Sequence, residues 1–281
     1  MALANFVKMH GAGNDYIYFD CVRNPELPNP EEIAIRLSDR HKGVGSDGVI
    51  LVCKSDVADA KMRMFNADGS EGIMCGNGIR CVAKFIYDFG IAQKDVVTIE
   101  TLGGIKTLEL DVHEGKVRNV RVDMGKAEFD PKKIPVNIDA ERVVDYPHEY
   151  SCGTYNITCV SMGNPHCIIY EDDVEGLDLE KIGPTFENDP IFPQRVNTEF
   201  VRVNSPVDVT MRVWERGSGE TMACGTGACA VVAACVANGF CRKGTEVTVH
   251  LRGGDLKITY TDDTVYMFGE AVTVFEGTVN I

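Results

Sequence analysis

Long apolar runs, an excess of positive charge and closely paired cysteines are all missing from this sequence. Without a run of about 18 apolar residues, no transmembrane helix is expected. A net charge of −14 argues against nucleic acid, whose phosphates attract basic patches, and against docking on anionic membranes. The start, MALANFVKMHGAGND, lacks the apolar core of a secretory signal, so the chain is read as cytoplasmic. The 11 cysteines are odd in number and scattered from Cys21 to Cys241. No C-x2-C pair occurs among them, which argues against both a disulfide framework and a structural zinc site. No metal is expected, and nothing in the sequence requires pyridoxal phosphate or a nucleotide. What remains is a globular composition, 44% hydrophobic and 25% charged over 281 residues, enough for one large domain or two ordinary ones.

The chain contains an internal duplication. RMFNADGSEGIMCGNGIRCVAKFIYDFG, from Arg63, aligns with RVWERGSGETMACGTGACAVVAACVANG, from Arg212. The alignment matches Arg63 with Arg212, Glu71 with Glu220, Cys75 with Cys224, Gly76 with Gly225, Gly78 with Gly227 and Gly90 with Gly239. Gly13-Asn14 pairs with Gly163-Asn164 upstream, and Gly103-Gly104 with Gly253-Gly254 downstream. Several boxes in one order at nearly one spacing mark a repeat. The expected organisation is an N-terminal repeat over 1–127, a Pro- and charge-rich connector over 128–150, and a C-terminal repeat over 151–281. The final strand is expected to pack back on the first domain.

Segments such as YIYFD, GVILV, HCIIY and DVTMRVW read as strands. With one long helix per half, the expected class is α+β: two pseudo-symmetric domains, each a largely antiparallel sheet wrapped around a central helix. The helix after Cys224 is apolar all round and should be buried. The helix after Cys75 carries Arg80 and Lys84 one turn apart, so one of its faces is expected to reach water.

A cysteine that opens an apolar helix is usually a small core residue. That reading suits Cys21, Cys53, Cys81, Cys152, Cys159, Cys167, Cys229, Cys235 and Cys241. Only Cys75 and Cys224 occupy equivalent places in both repeats, each before a Gly-x-Gly helix start. Such a start exposes backbone amides and the positive end of the helix dipole, which together bind an anion and favour a thiolate. If the two helix starts converged on one carboxylate, the thiols would flank its α-carbon. One could then remove a proton while the other delivers one, the amides stabilising the charge that develops. A thiol-redox or metal-thiolate module lacks its C-x2-C here. A non-catalytic amino-acid binder would need no cysteine at either helix start.

KMHGAGNDY, FNADGSEGIMCGNGIRC, SMGNPHC, RVNTEFV and ERGSGETMACGTGAC closely resemble the diaminopimelate epimerase family, from Phe6 to about Gly277. The resemblance implies a cofactor-independent isomerase that interconverts LL- and meso-2,6-diaminopimelate. It also implies a homodimer whose monomer has two similar domains. Matched by motif, Cys75 and Cys224 are the acid/base pair, and Gly76, Asn77, Gly225 and Thr226 hold the reacting carboxylate. Asn14, Asn66, Asn164, Asn197, Glu215 and Arg216 grip the rest of the substrate, while His166 and Glu215 tune the cysteines. Gly48 stands where some members carry glutamine, and Phe275 where some carry tyrosine at a dimer contact. Proline-type racemases and PhzF-like isomerases are the neighbouring readings. The first has no distal ammonium-carboxylate end to recognise, and the second lacks the cysteine pair.

Overall fold

The computed structural model describes residues 3–281. The first stretch runs β1 (Leu3–Gly11), β2 (Asn14–Cys21), α1 (Pro30–Ser38), β3 (Gly48–Cys53), β4 (Ala60–Asn66), β5 (Glu71–Gly72), α2 (Gly76–Asp88), β6 (Val96–Thr101), β7 (Gly104–His113) and β8 (Lys116–Asp123). The second runs β9 (Tyr146–Tyr150), β10 (Gly153–Ser161), β11 (Pro165–Tyr170), α3 (Leu179–Glu187), β12 (Asn197–Ser205), β13 (Asp208–Glu215), β14 (Gly219–Glu220), α4 (Gly225–Ala237), β15 (Glu246–Leu251) and β16 (Gly254–Tyr260). After these come β17 (Val265–Glu270) and β18 (Val272–Asn280). Two compact units result: residues up to Asp123 together with Phe268–Ile281, and Met124–Met267. The segment 128–150 lies in the second unit, and the last 14 residues in the first.

In the first unit the strands pair in the order β18-β1-β2-β3-β4-β6-β7-β8. In the second the order is β9-β10-β11-β12-β13-β15-β16. The expectation of a largely antiparallel α+β sheet needs correcting to a mixed sheet. The pairs β2·β3, β4·β6, β11·β12 and β13·β15 are parallel. Parallel neighbours require a crossover, usually helical. Each helix here provides one: α1 between β2 and β3, α2 between β4 and β6, and α3 and α4 likewise in the second unit. Among the described residues each unit therefore holds a shorter helix, α1 or α3, besides its long one, α2 or α4.

Both faces of each sheet are covered, which is why β3 reads GVILVC and is buried throughout. Helix α2 packs on β1, β2, β4, β6, β7 and β8, and α4 on β10, β11, β12 and β16. On the opposite face of the first sheet, Ile33, Ala34 and Leu37 of α1 close a core with Phe6, Phe19, Leu51 and Phe65. In the second unit Leu179 and Phe186 of α3 pack with Tyr150, Phe200 and Trp214. Gly183 makes that contact possible, because a Cβ there would lie 2.2 Å from Trp214 Cδ2.

The two long helices fill their units differently. Helix α4 is apolar and buried from Gly227 to Cys235. On α2, the expected wet face does not exist. Arg80 is fully buried and Lys84 nearly so. Arg80 donates to the carbonyls of Gly76 (3.2 Å) and Glu270 (3.2 Å). Lys84 donates to Val117 O at 2.6 Å and pairs with Asp88 at 2.7 Å. Buried cations persist where such acceptors compensate their lost hydration.

Candidate active site

Equivalent segments of the two units build the same local structure around Cys75 and Cys224. Arg63 of β4 grips Glu71 of β5 at 2.9 and 3.3 Å, and Arg212 of β13 grips Glu220 of β14 at 2.7 and 3.0 Å. These forked pairs pin the hairpin that delivers the chain to each helix start. Cys75 then caps α2 and Cys224 caps α4, both with extended backbone. Each sulfur accepts the N–H three residues on, Gly78 N at 3.3 Å and Gly227 N at 3.4 Å. The cap position, normally held by Ser, Thr, Asp or Asn, is here held by a thiol.

In the first unit the β1–β2 hairpin turns through Ala12 (φ 52°) and Gly13 (φ 79°) and delivers Asn14. The Cys75 thiol donates to Asn14 Oδ1 at 3.2 Å, and Asn14 Nδ2 donates to Asp47 at 2.7 Å. Tyr16, almost wholly buried, adds a residue that sequence reasoning did not single out. Its hydroxyl interacts with both Cys75 and Asn14, and burial together with the charges of Cys75 and Asp47 holds the phenol well above its usual range. Asn66 lies in the β4–β5 turn, where its amide donates to Ser70 Oγ at 3.0 Å. Gly76 and Asn77 are the buried first residues of α2.

The second unit gathers more of the expected residues. Cys224 Sγ lies 3.5 Å from Thr226 Oγ1, Asn164 Nδ2 donates to that hydroxyl at 3.3 Å, and His166 Nε2 lies 3.0 Å from Asn164 Oδ1. Glu215 hydrogen-bonds Cys224 and Thr221, and enclosure of its carboxyl end raises it above the usual carboxylate range. The Cys224 thiol is pushed well up, first by burial and then by the negative charge of Glu215 and Glu199. Asn197, beside His166 in the β11·β12 register, accepts Arg216 N at 3.0 Å. The Arg216 guanidinium donates to Gln194 O at 2.9 Å and has no acidic partner among the described residues.

Glu199 was missed. It is wholly buried on β12, and its Oε1 lies 2.7 Å from His166 Nδ1. A signal for it existed in the repeat: Ile50 holds the corresponding place in the first unit. A Cβ on Gly78 would meet Ile50 Cδ1 at 2.8 Å, and one on Gly227 would meet Glu199 Oε1 at 2.5 Å. An acid where the other repeat has isoleucine is a functional clue. Gly48, too, has a physical reason. A Cβ there would lie 2.1 Å from Phe65 O and 2.9 Å from Tyr16 Cε1, so no side chain fits between β3 and β4. Among the described residues no group of His, Cys, Asp and Glu is arranged to hold a metal ion.

The family model described as diaminopimelate epimerase matches residues 6–129 and 158–274. The chain belongs to the diaminopimelate epimerase family. Relatives named diaminopimelate epimerase include one from Acetivibrio thermocellus, 53% identical over 278 residues and covering 98% of both chains. Another, from Methanococcus maripaludis, is 53% identical and covers 98% of this chain and 99% of its own. Solved structures share the fold at low identity. The Bacillus anthracis phenazine biosynthesis protein of the PhzF family aligns with a TM-score of 0.69 at 19% identity, covering 100% of both chains. A hydroxyproline epimerase from Agrobacterium vitis aligns with a TM-score of 0.67 at 16% identity, covering 99% of this chain and 92% of its own.

Proposed function

We propose that the chain interconverts LL- and meso-2,6-diaminopimelate without a cofactor, by two-base proton transfer at the α-carbon with Cys75 and Cys224 as the acid/base pair. The observation that carries this assignment is the repeated cap. In each unit a cysteine caps a helix start, and its sulfur accepts the N–H of the glycine three residues on. One thiolate removes the α-proton, and the other thiol returns a proton to the opposite face. Two groups are needed because a single base would return the proton to the face it left. The first-turn amides of Gly76, Asn77, Gly225 and Thr226 hold the reacting carboxylate and stabilise the charge it gains. Arg216, with no acidic partner among the described residues, suits the distal carboxylate. Asn14, Asn66, Asn164 and Asn197, with Glu215, serve the ammonium groups and remaining oxygens. His166 and Glu215 tune the thiols.

The reaction belongs to lysine and peptidoglycan biosynthesis, and we place it in the cytoplasm. No helix among the described residues is long and apolar enough to cross a membrane. We read the two units as products of a duplication, and the assembly as a homodimer. The exposed Val274 and Phe275 of β18 are consistent with a contact surface there, and sedimentation tests the assembly.

The test of function is incubation of reduced protein with LL-diaminopimelate in D2O, followed by mass spectrometry. Meso product carrying one solvent deuterium at the α-carbon is expected, and it is lost in Cys75→Ala and Cys224→Ala. Full turnover by either variant refutes the two-base assignment. Exchange with proline in place of diaminopimelate refutes the substrate.

A further inference from the structure

Asn14 and Asn164 are equivalent residues of the repeat, yet their amides point in opposite senses. Asp47 Oδ2 can only accept, so it takes the Asn14 NH2 at 2.7 Å. The Asn14 oxygen is left for the Cys75 thiol at 3.2 Å. In the second unit the Asn164 oxygen can only accept, so His166 Nε2, 3.0 Å away, must carry a proton. His166 Nδ1 then meets Glu199 Oε1 at 2.7 Å, and one further proton lies between these two atoms. Whichever of the two holds it, the Nε2 proton stays in place. Glu199 thereby fixes the ring in the form that captures the Asn164 oxygen. The Asn164 NH2 is turned to Thr226 Oγ1 at 3.3 Å. That oxygen accepts, so its own proton is free to donate to Cys224 Sγ at 3.5 Å.

We propose that Asp47 and Glu199 are positioning residues that hold these two amides in opposite senses, so that Cys75 faces a hydrogen-bond acceptor while the hydroxyl beside Cys224 is left to donate to sulfur. This rests on the acid/base assignment of the two cysteines. It adds one difference between two thiols on duplicated scaffolds, at the asparagine they share, beside the Tyr16 hydroxyl at Cys75 and the Glu215 carboxyl at Cys224. An acceptor beside sulfur favours the thiol, and a donor favours the thiolate. The groups facing Cys75 include Asn14, Tyr16 and Tyr18 of β2 and Cys81 of α2, with Asp47 behind Asn14. Those facing Cys224 are Thr226 of α4, Glu215 of β13 and Glu199 of β12, with His166 of β11 behind. Glu199 also raises the thiol by its charge, so charge and orientation must be separated experimentally.

Paired variants achieve that separation. Asp47→Asn and Glu199→Gln remove the charge but keep an atom able to hold the neighbouring group. Asp47→Ala and Glu199→Ala remove both. The readout is the pH midpoint of iodoacetamide labelling at each cysteine, followed peptide by peptide by mass spectrometry, with no substrate present. Relative to its Asn variant, Asp47→Ala should lower the Cys75 midpoint by about one pH unit, because Asn14 is then free to turn its NH2 to the sulfur. Relative to its Gln variant, Glu199→Ala should raise the Cys224 midpoint by about one unit, because the hydroxyl's proton is drawn to the Asn164 oxygen. In each case the cysteine of the other unit keeps its midpoint, which reports that the protein is folded. Thr226→Val should raise the Cys224 midpoint without altering either clamp. Equal midpoints within each pair, shifts of the same sign at both cysteines, or no rise in Thr226→Val overturn the proposal. Wild-type turnover of LL-diaminopimelate is scored separately, so an error in the substrate leaves these labelling shifts intact.

Discussion

Replacing Gly78 and Gly227 by alanine, one at a time, should give sharply different results although the two glycines are equivalent in the repeat. At Gly227 the new Cβ would lie 2.5 Å from Glu199 Oε1 and 3.3 Å from Cys224 Sγ. An ordinary carbon–oxygen contact is about 3.3 Å, so the carboxylate must retreat by roughly 0.8 Å. Glu199 is wholly buried and bonded to His166 at 2.7 Å, so that retreat breaks the bond. Losing a bond to a charged group costs about 1.5–3 kcal/mol, and the better helix propensity of alanine returns only about 1 kcal/mol. The net loss of about 0.5–2 kcal/mol lowers Tm by roughly 1–8 °C in a protein of this size. With His166 released, turnover should fall about 10- to 100-fold. At Gly78 the Cβ meets Ile50 Cδ1 at 2.8 Å and Met62 Cε at 3.2 Å, both ends of flexible side chains. The strain there is about 1 kcal/mol and is offset by propensity, leaving a net change within about 0.5 kcal/mol. Calorimetry gives the Tm values and deuterium exchange the turnover. Equal losses at both positions, or an unchanged Gly227→Ala protein, would refute this account of the two helix starts.

Glu215→Gln should stabilise the protein increasingly from about pH 4 to pH 8, as followed by Tm. A carboxyl raised by enclosure binds its proton more tightly folded than unfolded. Its contribution is present below the ordinary carboxylate range and lost as pH rises through the raised value, at about 1.4 kcal/mol per unit of elevation. A wild type whose Tm gains on the variant with rising pH would contradict this. Tyr16→Phe should lower kcat about tenfold, through loss of the hydroxyl at Cys75, while leaving KM close to wild type. A kcat unchanged in that variant excludes Tyr16 from the reaction. Gly48→Ala should cost about 2–3 kcal/mol in denaturant unfolding, since its Cβ would lie 2.1 Å from a backbone oxygen. A neutral Gly48→Ala protein would mean that β3 and β4 can separate freely at that point.

Periodicity and the repeat made much of this molecule legible. The strands around YIYFD, GVILV and HCIIY formed, and both Cys-Gly-x-Gly segments opened helices with the sulfur in the cap. The short helices were not anticipated. Helix α3 carries Gly183 and Pro184, which propensity disfavours, and Trp214 packing against that glycine outweighs the local preference. Arg80 and Lys84 were misjudged because side-chain type alone does not reveal that carbonyls wait inside the fold. Tyr16 and Glu199 escaped notice because one resembles an ordinary strand aromatic and the other an ordinary strand acid. Comparing the repeats position by position, Tyr16 against His166 and Ile50 against Glu199, would have exposed both. A duplicated chain reveals its chemistry where its copies disagree.

The pairing of β18 with β1 also sets an order of events during synthesis. Leu3 stands opposite Asn280 and Phe6 opposite Gly277, and the Phe6 ring packs on Phe275 at 5.9 Å. Strand β1 therefore waits for residues more than 260 positions later before its outer edge is covered. The unit spanning Met124–Met267 is continuous in sequence and has every one of its strands once residue 267 has emerged. The unit that holds β1 is completed after the other. Until then β1 offers an open edge, the kind of surface that recruits unwanted strands, and the long loop that closes it makes this step slow.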